Sequence, residues 1–401
     1  MKAYERLLHY VTFHTRSDEN STASPSSENQ FPLAEALVEE LKSLGVEDAS
    51  CDKFCYVYGH IPATPGHEDA TPIGLIAHMD TADFNDLPVK AQIHENYDGS
   101  DIVLGESGLV LSPKAFPRLK DRIGETLITS DGSTILGADD KAGIAEIMTV
   151  VELKDTFEHG PICIAFTPDE EIGRGCENFD LEKFAAKYAY TLDGEFENEV
   201  ECNTFNAAAA TIKFTGENNH PGSAKGVMIN ASLLAMEFDG LLPRADRPEH
   251  TEGFEGFFHL TSMSGGVGEA TISYIIRDFD TAKFEHRKEM MEHVAKYMNE
   301  KYGEGRVVCD IKDQYYNMHN ILKDHPLCTE NAMQAQRNAG QEPVSVPLRG
   351  GTDGAKLSFM GLPCPNLGTG ASQFHGPYEH ITAEAMDRTV KVVIELLKLF
   401  A

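Results

Sequence analysis

GADDKAGIAEIMTVVEL, residues 137 to 153, places two adjacent carboxylates, Asp139 and Asp140, ahead of an apolar stretch of helical length. Neighbouring acids repel, and the pair is costly unless a cation or hydrogen-bond donors absorb its charge. Acids also cap helix N-termini, where the dipole favours them, so the pair alone fits either use. PICIAFTPDEE, at 161 to 171, is a short apolar run ending in three acids, and YAYTLDG, at 188 to 194, is another ending near Asp193. Runs of this length bounded by turn residues read as buried strands. Strand, helix and strand at this spacing make a βαβ unit, whose functional residues collect at the carboxyl ends of the strands.

PIGLIAHMD, at 72 to 80, is a further buried strand ending in polar chemistry. Side chains two apart on a strand point the same way, so His78 and Asp80 can work together. One can bind a metal while the other braces the imidazole. FHG, at 374 to 376, adds His375. Five short motifs bearing acids or His, nearly all at strand ends or turns, point to a two-metal site assembled in space.

The remaining chain falls into segments. FPLAEALVEELKSL (31–44) has helical spacing and Gly45 as its cap. Residues 85 to 125 read as a long irregular excursion. ETLITSDGSTILGADD reads as hairpin-like, with its turn at Asp131-Gly132. The character changes near residue 205. AAAATIKFTG and ATISYIIRDFD read as strands of a sheet with one covered face, and a long charged helix runs up to Gly303. The expected class is therefore α/β: a catalytic domain in two segments, 1–205 and 317–401, with an inserted α+β sandwich at 206–316.

Lysine and arginine number 34 against 64 acids, a net charge of −30. That argues against nucleic acid or an anionic membrane as partner, since both need positive patches. No apolar run approaches the roughly 20 residues of a membrane span. The opening MKAYERLLHYVTFHT reads as an amphipathic helix rather than a signal peptide. Eight scattered cysteines read as buried free thiols in a reducing compartment, so a cytoplasmic location is expected.

HMDTAD (78–83), LGADDKAGIAEIM (136–148), AFTPDEEIGRG (165–175), NHPGSAKGVMINA (219–231), YIIRDFD (274–280) and RGGTDGAKLSFMGLPCPNL (349–367) together resemble the peptidase T family. These are tripeptide aminopeptidases, a branch of the di-zinc exopeptidases that include aminoacylases and glutamate carboxypeptidases. The resemblance implies a zinc-exopeptidase catalytic domain with an inserted domain of lid or dimerisation type, which allows a homodimer. It implies two Zn²⁺ per subunit, with His78 and Asp193 on one, Glu171 and His375 on the other, and Asp140 between them. Such a carboxylate bridge holds two ions roughly 3.5–4 Å apart. Asp80 would orient His78, and Glu170 would be the general base. The pattern of a His shortly before an acid selects His375 over His380 and leaves Glu379 outside the ligand set. Asp139 is expected to brace the site or cap the helix, and Asp169 to hold its own loop. His220 would polarise the scissile carbonyl, and Arg277 or Arg349 would take the carboxylate of the peptide.

One stretch departs from the family pattern. Where several glycines are expected after Asp193-Gly194, this chain has Glu195, Phe196 and Glu197, so a stiffer and more acidic loop is expected. The functional expectation is removal of the N-terminal residue from tripeptides. A related di-zinc dipeptidase or N-acyl amino acid deacylase would use the same ligands, and a non-catalytic peptide-binding homologue remains the reading from another class.

Overall fold

Ile162–Thr167, Ile73–His78, Tyr188–Gly194 and Asn366–Gly368 run parallel, in that order, at the centre of an eight-stranded sheet. Val57–Ile61 and Ser50–Cys51 extend it antiparallel on one side; on the other, Glu199–Thr204 pairs antiparallel with Asn366–Gly368 and Val344–Leu348 forms the edge. The first two central strands are buried along their whole length, as parallel strands covered on both faces must be. Leu75 and Ala77 enter the large core beneath the helices Ala3–Tyr10, Ala138–Glu152 and Ala383–Leu399. Ile76, one residue out of phase, joins Tyr56, Tyr58, Leu357 and Cys364 on the opposite face.

The helix of the opening stretch spans Ala138–Glu152 and is buried almost throughout, but Asp139 and Asp140 have non-helical backbone angles. A Cβ on Gly143 would lie 2.1 Å from the carbonyl oxygen of Leu192. Its bare backbone lets the helix rest directly on the strand that carries Asp193.

The computed structural model describes residues 1–401, and these divide into two units. The first comprises Met1–Cys202, Ile321–Val346 and Thr352–Ala401; the second comprises Asn203–Asn320 and Pro347–Gly351. In the second, Phe257–Gly265, Glu269–Asp278, Asn206–Thr215 and Val307–Tyr315 form an antiparallel sheet. Burial alternates along Glu269–Asp278, and the inward residues pack with the helices Ala231–Leu241 and Thr281–Tyr302. Asn230 and Asp280 cap those helices, accepting from the backbone N–H of Ser232 and Lys283.

Two local expectations need correction. The excursion at 85–125 holds a small core of its own, with Tyr97, Leu104, Leu111 and Leu119 packed on Leu127. The hairpin around Asp131-Gly132 does not form. Leu127–Thr129 instead lies between His380–Thr382 and Gln92–His94 in a three-stranded sheet. The chain after the turn has no partner strand because the amides of Leu136 and Gly137 donate to the Glu379 carboxylate. No helix is long and apolar enough to cross a membrane.

Candidate metal centre

The carboxyl ends of the parallel strands bring the first unit's chemistry together. His78 ends Ile73–His78, Glu170 and Glu171 follow Ile162–Thr167, and Asp193 lies near the end of Tyr188–Gly194. His375 sits on the loop after Asn366–Gly368, with a positive φ of 60°. Asp139 arrives from the irregular head of the buried helix.

Two donor groups result, one of His78, Asp139 and Asp193 and the other of Asp139, Glu171 and His375, with the ligand atoms of each within 4.8 Å of one another. His78 Nε2 lies 2.9 Å from Asp139 Oδ1 and 3.4 Å from Asp193 Oδ1. His375 Nε2 lies 3.0 Å from both Asp139 Oδ2 and Glu171 Oε2. Asp139 is thus common to both groups.

Asp140, expected between the two metals, is not there. Its carboxylate turns into the protein and accepts from the backbone N–H of His78 at 3.1 Å and of Gly143 at 3.1 Å. Asp139, expected to brace the site or cap the helix, is the one whose carboxylate faces the two imidazoles. Which acid of the pair faces the imidazoles depends on backbone geometry at the helix head.

Asp80 is fully buried and braces two elements. Its carboxylate accepts from the backbone N–H of Glu170 at 3.0 Å and of Glu171 at 3.2 Å. The same carboxylate lies 3.4 Å from His78 Nδ1, while the Asp80 carbonyl oxygen is nearer, at 3.0 Å. That contact directs Nε2 toward the acids. Asp169 holds the start of the DEE loop to Ser26 and Gln30.

The charges constrain what the site can hold. Burial works against the charge on Asp139, yet the imidazoles of His375 and His78 keep its carboxyl below the usual range. Burial, then the nearby Asp139, pushes Glu171 up to about 7; burial is also the main cause that lifts Asp193 to about 6. Hydrogen bonds to Asp139 and Glu171 raise His375 to about 11. Glu170 is raised well above its ordinary value, by burial and then by Asp193. This crowding of negative charge calls for compensating cations. Glu171 Oε1 is buried without a hydrogen-bond partner, and imidazole with carboxylate is a donor set suited to divalent metals. The residues fit a metal pair.

The remaining candidates lie in the second unit. His220 is exposed, and its Nδ1 accepts from the backbone N–H of Gly222. Arg277 donates to the carbonyls of Ala208 and Ile276, lies over the Tyr315 ring, and pairs with no carboxylate. Arg349 donates to Thr251 and to the carbonyls of Gly253 and Glu255, which ties it to that loop.

The departing loop at 195–197 is built into the first unit by charge. Glu197 is buried between Arg122, at 2.7 Å from each oxygen, and Arg388, at 2.8 Å and 2.6 Å. Phe196 lies beneath the Arg118 guanidinium, and Glu195 accepts from the Ser372 hydroxyl. Of the loop's two acids, Glu197 is neutralised by arginines, while Glu195 meets only a hydroxyl. A further participant, Glu379, had as its only sequence signal its place four residues after His375.

A model of the peptidase dimerisation domain matches residues 203–306. Peptidase T of Caldanaerobacter subterraneus subsp. tengcongensis is 51% identical over 404 residues, covering 100% of this chain and 98% of that protein. Peptidase T of Bacillus licheniformis is 50% identical over 404 residues, with the same coverage of each. Among solved structures, the aminopeptidase PepT of Bacillus cereus superposes with a TM-score of 0.77 at 22% identity, covering 99% of this chain and 97% of that one. A tripeptidase of Staphylococcus aureus also reaches 0.77 at 21% identity, covering 100% and 98%. The structural likeness establishes a common fold. Half the residues shared from end to end go further: the chain belongs to the peptidase T family.

Proposed function

We propose that this chain is a di-zinc aminopeptidase that removes the N-terminal residue from free tripeptides. The observation that carries the reading is the pair of donor groups joined by Asp139, with Glu170 beside Glu171 yet outside both groups. His78 and Asp193 would hold one Zn²⁺, Glu171 and His375 the other, and Asp139 would bridge them. Such a metal pair polarises the scissile carbonyl and lowers the pKa of the attacking water.

The protein's own groups supply the rest. Glu170 takes a proton from that water and returns it to the leaving amine. Asp80 keeps His78 oriented and anchors the backbone of Glu170 and Glu171. The family resemblance assigns His220 to polarising the carbonyl and Arg277 to the peptide's carboxylate. Arg277 is the better of the two arginines for that task, because Arg349 is committed to the 251–255 loop. The match to a dimerisation domain supports a homodimer, and eight free cysteines fit a cytoplasmic location.

Release of the N-terminal amino acid from a free tripeptide tests the reading. The matching dipeptide, tetrapeptide and N-acetylated tripeptide are run beside it. Zinc-loaded protein should cleave the free tripeptide selectively, lose activity on chelation and regain it with Zn²⁺. Preference for the dipeptide or the acetylated peptide would move the chain to another di-zinc branch. Turnover indifferent to chelation would overturn the metal mechanism.

A further inference from the structure

Glu379 belongs to neither donor group, yet its carboxylate lies between the two loops that bring those groups together. It is almost completely buried. Oε2 accepts from the backbone N–H of Leu136 and of Gly137, each at 2.8 Å, and Oε1 accepts from that of Asp139 at 2.9 Å. These amides lead into the helix Ala138–Glu152 and have no carbonyl partner of their own. A carboxylate supplied from a distant part of the chain therefore satisfies three amides of the irregular segment ahead of the helical residues, which begin after Asp140.

The chain around Glu379 is itself tightly held. Its own amide donates to the Gly376 carbonyl, closing a short turn just after His375. The next residue, His380, exchanges two backbone hydrogen bonds with Ser372, at 3.0 Å and 2.9 Å. His380 also begins the strand that pairs with Leu127–Thr129. The result is a closed circuit. Asp139 Oδ2 meets His375 Nε2, a short turn leads from His375 to Glu379, and Glu379 grips the amide of Asp139. The circuit fixes the shared carboxylate against one of its imidazoles through hydrogen bonds among the protein's own groups, which need no metal.

We infer that Glu379 is a positioning residue for the metal centre, holding the Asp139 loop in register with His375 before metal binds. The inference rests on the reading of these residues as a metal centre. A carboxylate is suited to the task because all its lone pairs accept, whereas an amide must turn an N–H₂ toward at least one of the three donors.

Glu379→Gln tests it, with zinc affinity read by competition against a chromophoric chelator. The metal-free variant should fold with a lowered Tm, one buried amide having lost its acceptor, and should bind zinc roughly 10- to 100-fold more weakly, the range for residues that support metal ligands. Its kcat should return toward wild type at saturating zinc. A folded variant with wild-type zinc affinity overturns the inference. If Glu379→Gln does not fold, Glu379→Asp keeps the charge, shortens the reach and is held to the same affinity criterion. Hydrogen exchange of metal-free wild type gives a test independent of any variant. The amides of Leu136, Gly137 and Asp139 should stay protected, and rapid exchange there would show that Glu379 does not pre-form the loop. Wild type that binds no zinc would sink the metal-centre reading instead, and the exchange result would still decide whether the clamp exists.

Discussion

Asp139 directs its two carboxylate oxygens at His78 and His375, while Asp140 directs its own at the amides of His78 and Gly143. One is placed to meet cations, the other to satisfy backbone donors inside the protein. Substituting each by asparagine separates these tasks. Asp139→Asn removes the carboxylate common to both donor groups and should abolish binding of the metal pair, read as zinc content after dialysis. Asp140→Asn should retain zinc but lose about 1–3 kcal/mol of stability, because one amide donor is left without an acceptor. If Asp140→Asn sheds the zinc and Asp139→Asn keeps it, the assignment reverts to the one implied by the family resemblance. The acidic pair alone fits a helix cap as well as a metal site, and only the other acid- and His-bearing strand ends single it out. The motif does not say which acid faces outward, because neither residue has helical backbone angles and no periodicity governs them.

Among the elements, the loop after Asp193 shows how distant partners replace a local rule. Glycines would let the backbone turn freely; here Glu197 is held by arginines from positions 122 and 388. Burial opposes the Glu197 charge, but Arg122 and Arg388 outweigh it and bring the carboxyl down to about 2. Its folded value thus lies below its ordinary value of 4.5. The stability it contributes is complete above about pH 4.5 and is lost as pH falls toward 2. Removing one member of a buried ion pair costs about 3–5 kcal/mol, so Glu197→Gln should be destabilised by that order at pH 6. The gap from wild type should close as the pH falls through that window, as read from urea unfolding at a series of pH values. A gap that stays constant with pH would show that packing, not charge, is what Glu197 contributes. The same reasoning explains which elements were legible in the sequence. PIGLIAHMD and PICIAFTPDEE announce buried strands by their own composition, and the alternation in Glu269–Asp278 announces a sheet with one covered face. The missing hairpin at Asp131-Gly132 was not legible, because the acceptor that satisfies Gly137 lies 242 residues away.

At the scale of the whole molecule, the two units have separate cores. One centres on the parallel sheet and its covering helices, the other on the antiparallel sheet with Phe214, Phe238, Tyr274 and Phe284. Every donor of the candidate centre lies in the first unit, and none in the second. A ligand stabilises only the cooperative unit whose folded form binds it, by about 4 kcal/mol at a free concentration a thousand times its dissociation constant. Calorimetry of zinc-loaded and chelated protein should therefore show one transition that falls on chelation and another that does not move. The falling transition should carry the exchange protection of Ile73–His78 and Ile162–Thr167, because those strands lead into the donors. A chelation-insensitive first unit would mean that the donors do not hold metal. A single transition moving as a whole would mean that the units unfold together, with the metal's contribution spread over both.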